Sequence, residues 1–169
     1  MKVMKASQIF KKSLVICFCL LLLICLFYFY QAGAALYFVR DRQVIDLQLK
    51  ANFFSPSQKK LRVEVVKNDL SRSQGLSGRK AMISQTGETI DGMLFVFSNQ
   101  AKQSFWMKDM RFDLDICWLN EQEFIACQRR ASHQTAQTIY HSPSPVNLVL
   151  ETLPGTLNAA DLKAKLFFR

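Results

Sequence analysis

Residues 14–30 are an uninterrupted run of 17 apolar side chains, and a chain of 169 residues has too little surrounding protein to bury it as a core helix. A helix over the run is about 26 Å long, close to the hydrocarbon thickness of a bilayer. Residues 32–39 extend it past the single polar Gln31, with Tyr28, Tyr30 and Tyr37 placed for an interface. Lys2, Lys5, Lys11 and Lys12 precede the run and no acid occurs before Asp41, which by the positive-inside rule leaves the amino terminus in the cytoplasm. The expectation is a single-pass anchor in the inner membrane of a bacterial envelope, with everything after about Arg40 on the periplasmic side. The rival is a cleaved signal peptide and a secreted domain, because Ala32-Gly33-Ala34 has the small-x-small pattern. The apolar core exceeds the roughly 7 to 15 residues of such signals, which favours the anchor.

The leader also changes what the net charge of +9 means. Without its four lysines, 18 basic and 13 acidic side chains remain, interspersed at a net +5. Nucleic acid is therefore not the expected partner; a solvated surface explains the balance. Of the five cysteines, Cys17, Cys19 and Cys25 lie in the apolar run, where they act as small hydrophobes. Cys117 and Cys127 flank an expected hairpin and can form a cross-strand disulfide, if the register opposes them, or remain two core thiols. No CxxC or Cys/His metal spacing occurs, and His133 and His141 lack ligand-like or nucleophile-like settings, so no metal and no cofactor is expected.

The organisation read from the sequence is a basic leader over 1–13, the anchor over 14–39, a tether over 40–60 and a compact domain over 61–169. A short strand at 44–49 is possible within the tether. Leu61-Arg62-Val63-Glu64-Val65 alternates as a half-buried strand should. Asn68 can cap a short helix from Asp69 through Gln74 that Gly75 closes. The nearly all-apolar residues 92–97 suggest a strand buried on both faces, followed by a turn at 98–102. Residues 104–108 and 114–119 read as strands, and 123–129 as the return arm of a hairpin turning at Asn120-Glu121-Gln122. Residues 146–150 resemble a last buried strand, and Asn158 can cap a small helix over 159–163. With many short strands and no βαβ rhythm, the expected fold is mainly β (α+β), a small barrel-like or strongly bent antiparallel sheet with one or two short helices, preceded by the transmembrane helix.

Taken in order, Arg72-x-x-Gly75-Leu76, Arg79, residues 91–97, Phe105-Trp106-Met107-Lys108 and Leu114-Asp115-Ile116 resemble the domain of unknown function 192 family. Tyr140, Ser142-Pro143, Val149-Leu150-Glu151 and Pro154-Gly155 continue the resemblance. It implies a small, mostly β domain, often secreted or membrane-tethered, with no established reaction. Asp109 stands where the family usually has Asn, Asp113 replaces a common Pro, and 162–165 lack a Gly that often opens the final turn; these departures touch loop geometry.

The densest chemical cluster is Phe105-Trp106-Met107-Lys108. On a strand Trp106 and Lys108 share one face, an aromatic platform beside an ammonium that suits a sugar ring, an anionic polymer or a peptide carboxylate. Asp115 and Glu151 are acids in apolar strands. Asp115 either meets Arg79, Arg72 or Lys108 in an ion pair or is a functional carboxylate, and if it faced one cleft with Glu151 the two could do the acid and base work of glycoside hydrolysis. Arg72 and Arg79 flank glycines whose amides could receive an anion. The expected function is a tethered binding domain that holds a small ligand or envelope polymer through Arg79, Trp106, Lys108 and Tyr140. A carbohydrate- or peptidoglycan-acting hydrolase using Asp115 and Glu151, and an envelope assembly partner, are the alternatives. No motif establishes an enzyme.

Overall fold

A computed structural model describes residues 2–31, 35–52 and 54–168, with the side chains of 11–27, 36, 38–52 and 54–168. Helix α1, Lys2–Gln31, carries the long apolar run, and Leu14, Ile16, Phe18, Leu21 and Leu23 all stand more than half exposed around it. Among the described residues no helix is long and apolar enough to cross a membrane. The small-x-small site at Ala32-Gly33-Ala34 lies outside the described residues, as do the side chains of Lys2, Lys5, Tyr28, Tyr30 and Tyr37.

A separate compact unit begins at Ala35. After the single turn α2 (Ala35–Phe38) come β1 (Val44–Lys50), β2 (Lys59–Val66), α3 (Asp69–Gln74), β3 (Gly92–Ala101), β4 (Ser104–Trp106) and β5 (Leu114–Asn120). Next are β6 (Glu123–Ala131), β7 (Ile139–His141), β8 (Val146–Thr152), a 3-10 turn at Asp161–Lys163 and β9 (Lys165–Phe168). Seven strands close into a barrel in the order β1-β2-β3-β8-β5-β6-β9, while β4 and β7 pair as a separate ribbon.

Alternation sorts each strand between two apolar clusters. Val65, Leu94, Leu150 and Cys117 are successive ladder partners pointing into the barrel, where Cys127 opposes Cys117 in register and is bonded to it, the Cα atoms 4.0 Å apart. The outward neighbours Met93, Phe95, Ile116, Trp118 and Val149 are buried as well, because α3, the loop after it and the β4–β7 ribbon cover that side. A second packed layer over one wall of the barrel is what creates a place for a site.

The barrel corrects five expectations. Residues 40–60 are not a tether: Leu47 and Leu49 are fully buried, β1 pairs with both β2 and β9, and Asp41 accepts hydrogen bonds from the Lys67 and Asn68 amides, Asn68 Nδ2 and Ser71 Oγ. The sheet is not wholly antiparallel, since β2 and β3 run parallel with α3 in the crossover. Residues 98–101 continue β3 rather than turning, and β8 is followed by β9, whose Leu166 and Phe168 close the barrel interior. The small helix over 159–163 is a 3-10 turn of three residues, with Asn158 Oδ1 accepting from the Ala160 and Asp161 amides.

Elsewhere local chemistry governs as expected. Asn68 Oδ1 accepts the Ser71 amide to start α3, and Gly75, at φ 49°, ends it. Gly92 is required by packing: a Cβ there would lie 2.4 Å from the Glu151 carbonyl oxygen, so only glycine lets β3 approach β8 this closely.

Candidate functional site

One row of the covered wall carries Glu64 on β2, Met93 on β3, Glu151 on β8 and Ile116 on β5, each the ladder partner of the next. Both glutamates thus point into the second layer, with Met93 between them. Glu64 is 0% exposed and saturated: Arg79 Nη1 donates to Oε2 at 2.7 Å, Arg79 Nη2 and Arg42 Nη1 to Oε1 at 3.1 Å, and the Gln85 amide to Oε2 at 3.0 Å. Burial works against its ionisation, but the hydrogen bonds from Arg79 and Arg42 outweigh it and hold the carboxyl below the ordinary range.

Glu151 is 4% exposed, and among the described residues no hydrogen bond or ion pair reaches its carboxyl. Burial alone pushes it up to about 8, so the acid is largely protonated at neutral pH. It lies on the wall of a cavity of about 270 Å³, bounded by Arg72 and the 73–77 segment on one side and by Phe95, Phe97, Phe105 and Trp106 on the others. Trp106 is 55% exposed at this site, and Lys108 Nζ sits 5.3 Å from its ring centroid. Arg72 is already engaged: its guanidinium lies 4.9 Å from the Phe97 centroid and donates to the Val96 carbonyl, the Lys67 carbonyl and Asp69.

The structure separates the other candidates. Arg79 is committed to Glu64 and the Ile83 carbonyl, so it is a structural pair rather than part of the cavity. Tyr140 is the ladder partner of Phe105 and lines a different, shallower depression with Trp118, whose buried indole N–H has no partner. Asp115 pairs with none of Arg72, Arg79 or Lys108. Arg129 Nη1 donates to its Oδ2 at 2.7 Å and the Arg130 amide to its Oδ1 at 2.8 Å, fixing the bulge where Arg130 takes φ 47°.

Asp115 opposes Thr152 while Glu151 opposes Ile116, so the two acids point to opposite faces and share no cleft. The anion-receiving reading of the glycines also lacks its donors, because the Gly75 and Gly78 amides donate to the Ser71 and Asp109 carbonyls. Ser104 Oγ and His141 Nδ1 do lie 2.8 Å apart across the ribbon, a pairing with no sequence signal since it depends on register. No carboxylate orients His141 among the described residues, so the dyad lacks the third group of a hydrolytic triad. Among the described residues no group of three or more His, Cys, Asp or Glu side chains could hold a metal ion.

A small barrel with one covered wall, a saturated acid and an unpartnered one defines a compact domain with a preformed pocket. The family model DUF192 (Uncharacterized ACR) matches residues 52–165, and the chain belongs to that family. No curated protein matches the chain. Two solved structures share the fold. A crystal structure from Sinorhizobium meliloti 1021, carrying a provisional description as a transcription regulator, is 23% identical at a TM-score of 0.62, covering 77% of this chain and 97% of its own. A protein of unknown function from Novosphingobium aromaticivorans is 21% identical at 0.58, covering 73% of this chain and 84% of its own.

Asp109 adopts φ 58°, a left-handed conformation that Asp and Asn tolerate better than most side chains.

Proposed function

We propose that the chain is a membrane-tethered, extracytoplasmic binding domain that retains a small ligand in the cavity between α3 and β4. The observation that carries this reading is Glu151, a buried carboxyl with no partner on the wall of an aromatic pocket. The carboxyl faces the cavity, so a ligand atom can pair with it without breaking a contact inside the protein. A cavity of about 270 Å³ suits a small molecule or a single chemical group rather than several units of a polymer.

The tether rests on the exposed apolar shell of α1 and on the sequence that continues it through residue 39, with lysines only in front. The outer location is supported by the Cys117–Cys127 bond, which persists in an oxidising compartment.

Native mass spectrometry of the detergent-solubilised full chain tests the pocket. A retained small molecule lost on Trp106→Ala, with the fold intact, is the expected result, whereas identical retention by the variant contradicts the reading. Protease shaving of spheroplasts tests the address. The barrel should be digested from outside and, before digestion, remain in the membrane after carbonate extraction; a soluble species starting near Ala35 would instead mean a cleaved signal.

A further inference from the structure

We propose that the pocket selects an organic ammonium group, seated against Glu151 and enclosed by Phe95, Phe105 and Trp106. This rests on the small-ligand reading above and adds the class of ligand. Among the side chains lining the cavity, only Arg72 and Glu151 are ionisable. The Arg72 guanidinium faces Phe97 and donates to two backbone carbonyls and Asp69, so it offers an incoming anion little. Glu151 has no partner among the described residues, and the remaining walls combine four aromatic rings with uncharged side chains such as Gln74, Gln103 and Ser104. Rings attract a cation through their quadrupoles, and a carboxylate supplies the counter-charge.

An anion would set a second negative charge beside Glu151 once that acid ionised. A cation converts the same group from an unpartnered acid into half of an ion pair, and its charge favours loss of the Glu151 proton. The proton passes to the buffer, since among the described residues no base stands within hydrogen-bond distance of the carboxyl. The other charged and titratable groups near this wall are already placed: Glu64 is held by Arg42 and Arg79, Lys108 lies over the outer ring of Trp106, and His141 is paired with Ser104.

The test is calorimetry on the full chain in detergent, titrated with choline and with its uncharged carbon isostere, in two buffers of different ionisation enthalpy at about pH 7. Choline should bind about tenfold or more tighter than the isostere, a difference within reach of one cation–π contact plus one ion pair. Its binding should release close to one proton. Glu151→Gln should abolish the proton release and cut the preference to the part that the rings alone supply, weakening choline more than the isostere. The variant removes an ionisable group from a buried site, so it is expected to fold, and Trp106→Ala provides an independent check by weakening both compounds.

Equal binding of the isostere, or a preference undiminished in Glu151→Gln, overturns the ammonium assignment and leaves the small-ligand pocket standing. Binding of neither compound, together with no retained molecule in native mass spectrometry, overturns both.

Discussion

Glu64 and Glu151 are the same residue, on one face of the same wall, separated by Met93, and their surroundings are opposite. Two guanidiniums and an amide surround Glu64, while among the described residues no donor reaches Glu151. The contrast separates a buried acid that serves the fold from one that serves no internal contact. A saturated ion cluster ties β2 to the segment carrying Arg79 and to the strand entry at Arg42. A solitary acid beside four aromatic rings ties nothing together, and its natural partner comes from outside.

The sharpest test of the comparison is to weaken the pairing of Glu64. Arg79→Ala removes two of its four hydrogen bonds, leaves Arg42 and the Gln85 amide to hold a fully buried charge, and should cost about 2–3 kcal/mol in urea unfolding. A loss below about 1 kcal/mol would mean that Glu64 is not held as described.

The pH dependence separates the two acids by sign. The Glu151 carboxyl is raised from 4.5 to about 8, so between those values the folded state binds more protons than the unfolded one and stability falls as pH rises. The Glu64 carboxyl is lowered, so its contribution is present above 4.5 and is lost as pH falls through its folded value. Glu151→Gln should therefore remove the alkaline decline, leaving the chain more stable than the native sequence at about pH 9 while changing little at about pH 4.

A third acid calibrates the pair. Asp115→Asn keeps an oxygen for the Arg130 amide but loses the charge facing Arg129, and should cost about 1–2 kcal/mol in the same assay. The smallest change in stability is expected for Trp106→Ala, within about 0.5 kcal/mol, because the side chain is more than half exposed. The same variant should have the largest effect on retention of a small molecule.

Locally encoded features were legible in the sequence. The Asn68 cap, the Gly75 closure, the hairpin turning at Asn120-Glu121-Gln122 and the doubly buried start of β3 each depend on neighbours a few residues apart. Features set by distant pairing were not. β1 reads as a charged tether because its burial comes from β2 and β9, the latter more than a hundred residues away. The parallel crossover was hidden for the same reason.

The site divides along the same line. Trp106 and Glu151 are conspicuous as an aromatic beside a lysine and an acid in an apolar strand. Glu64 is not, since the alternation in Leu61-Arg62-Val63-Glu64-Val65 marks it as outward, and outward means solvent only where nothing covers the wall. Arg79 reads as a ligand contact from its place beside Gly75 and Gly78, yet the layer that buries Glu64 claims it for the fold.

The most direct measurement is the titration of the Glu151 side-chain carboxyl by carbon NMR in the full chain, assigned by its absence in Glu151→Gln. The carboxyl should be protonated at neutral pH and titrate near 8, then be ionised at about pH 7 when choline saturates the pocket. A resonance titrating near 4.5, as an exposed or internally paired glutamate would, contradicts it.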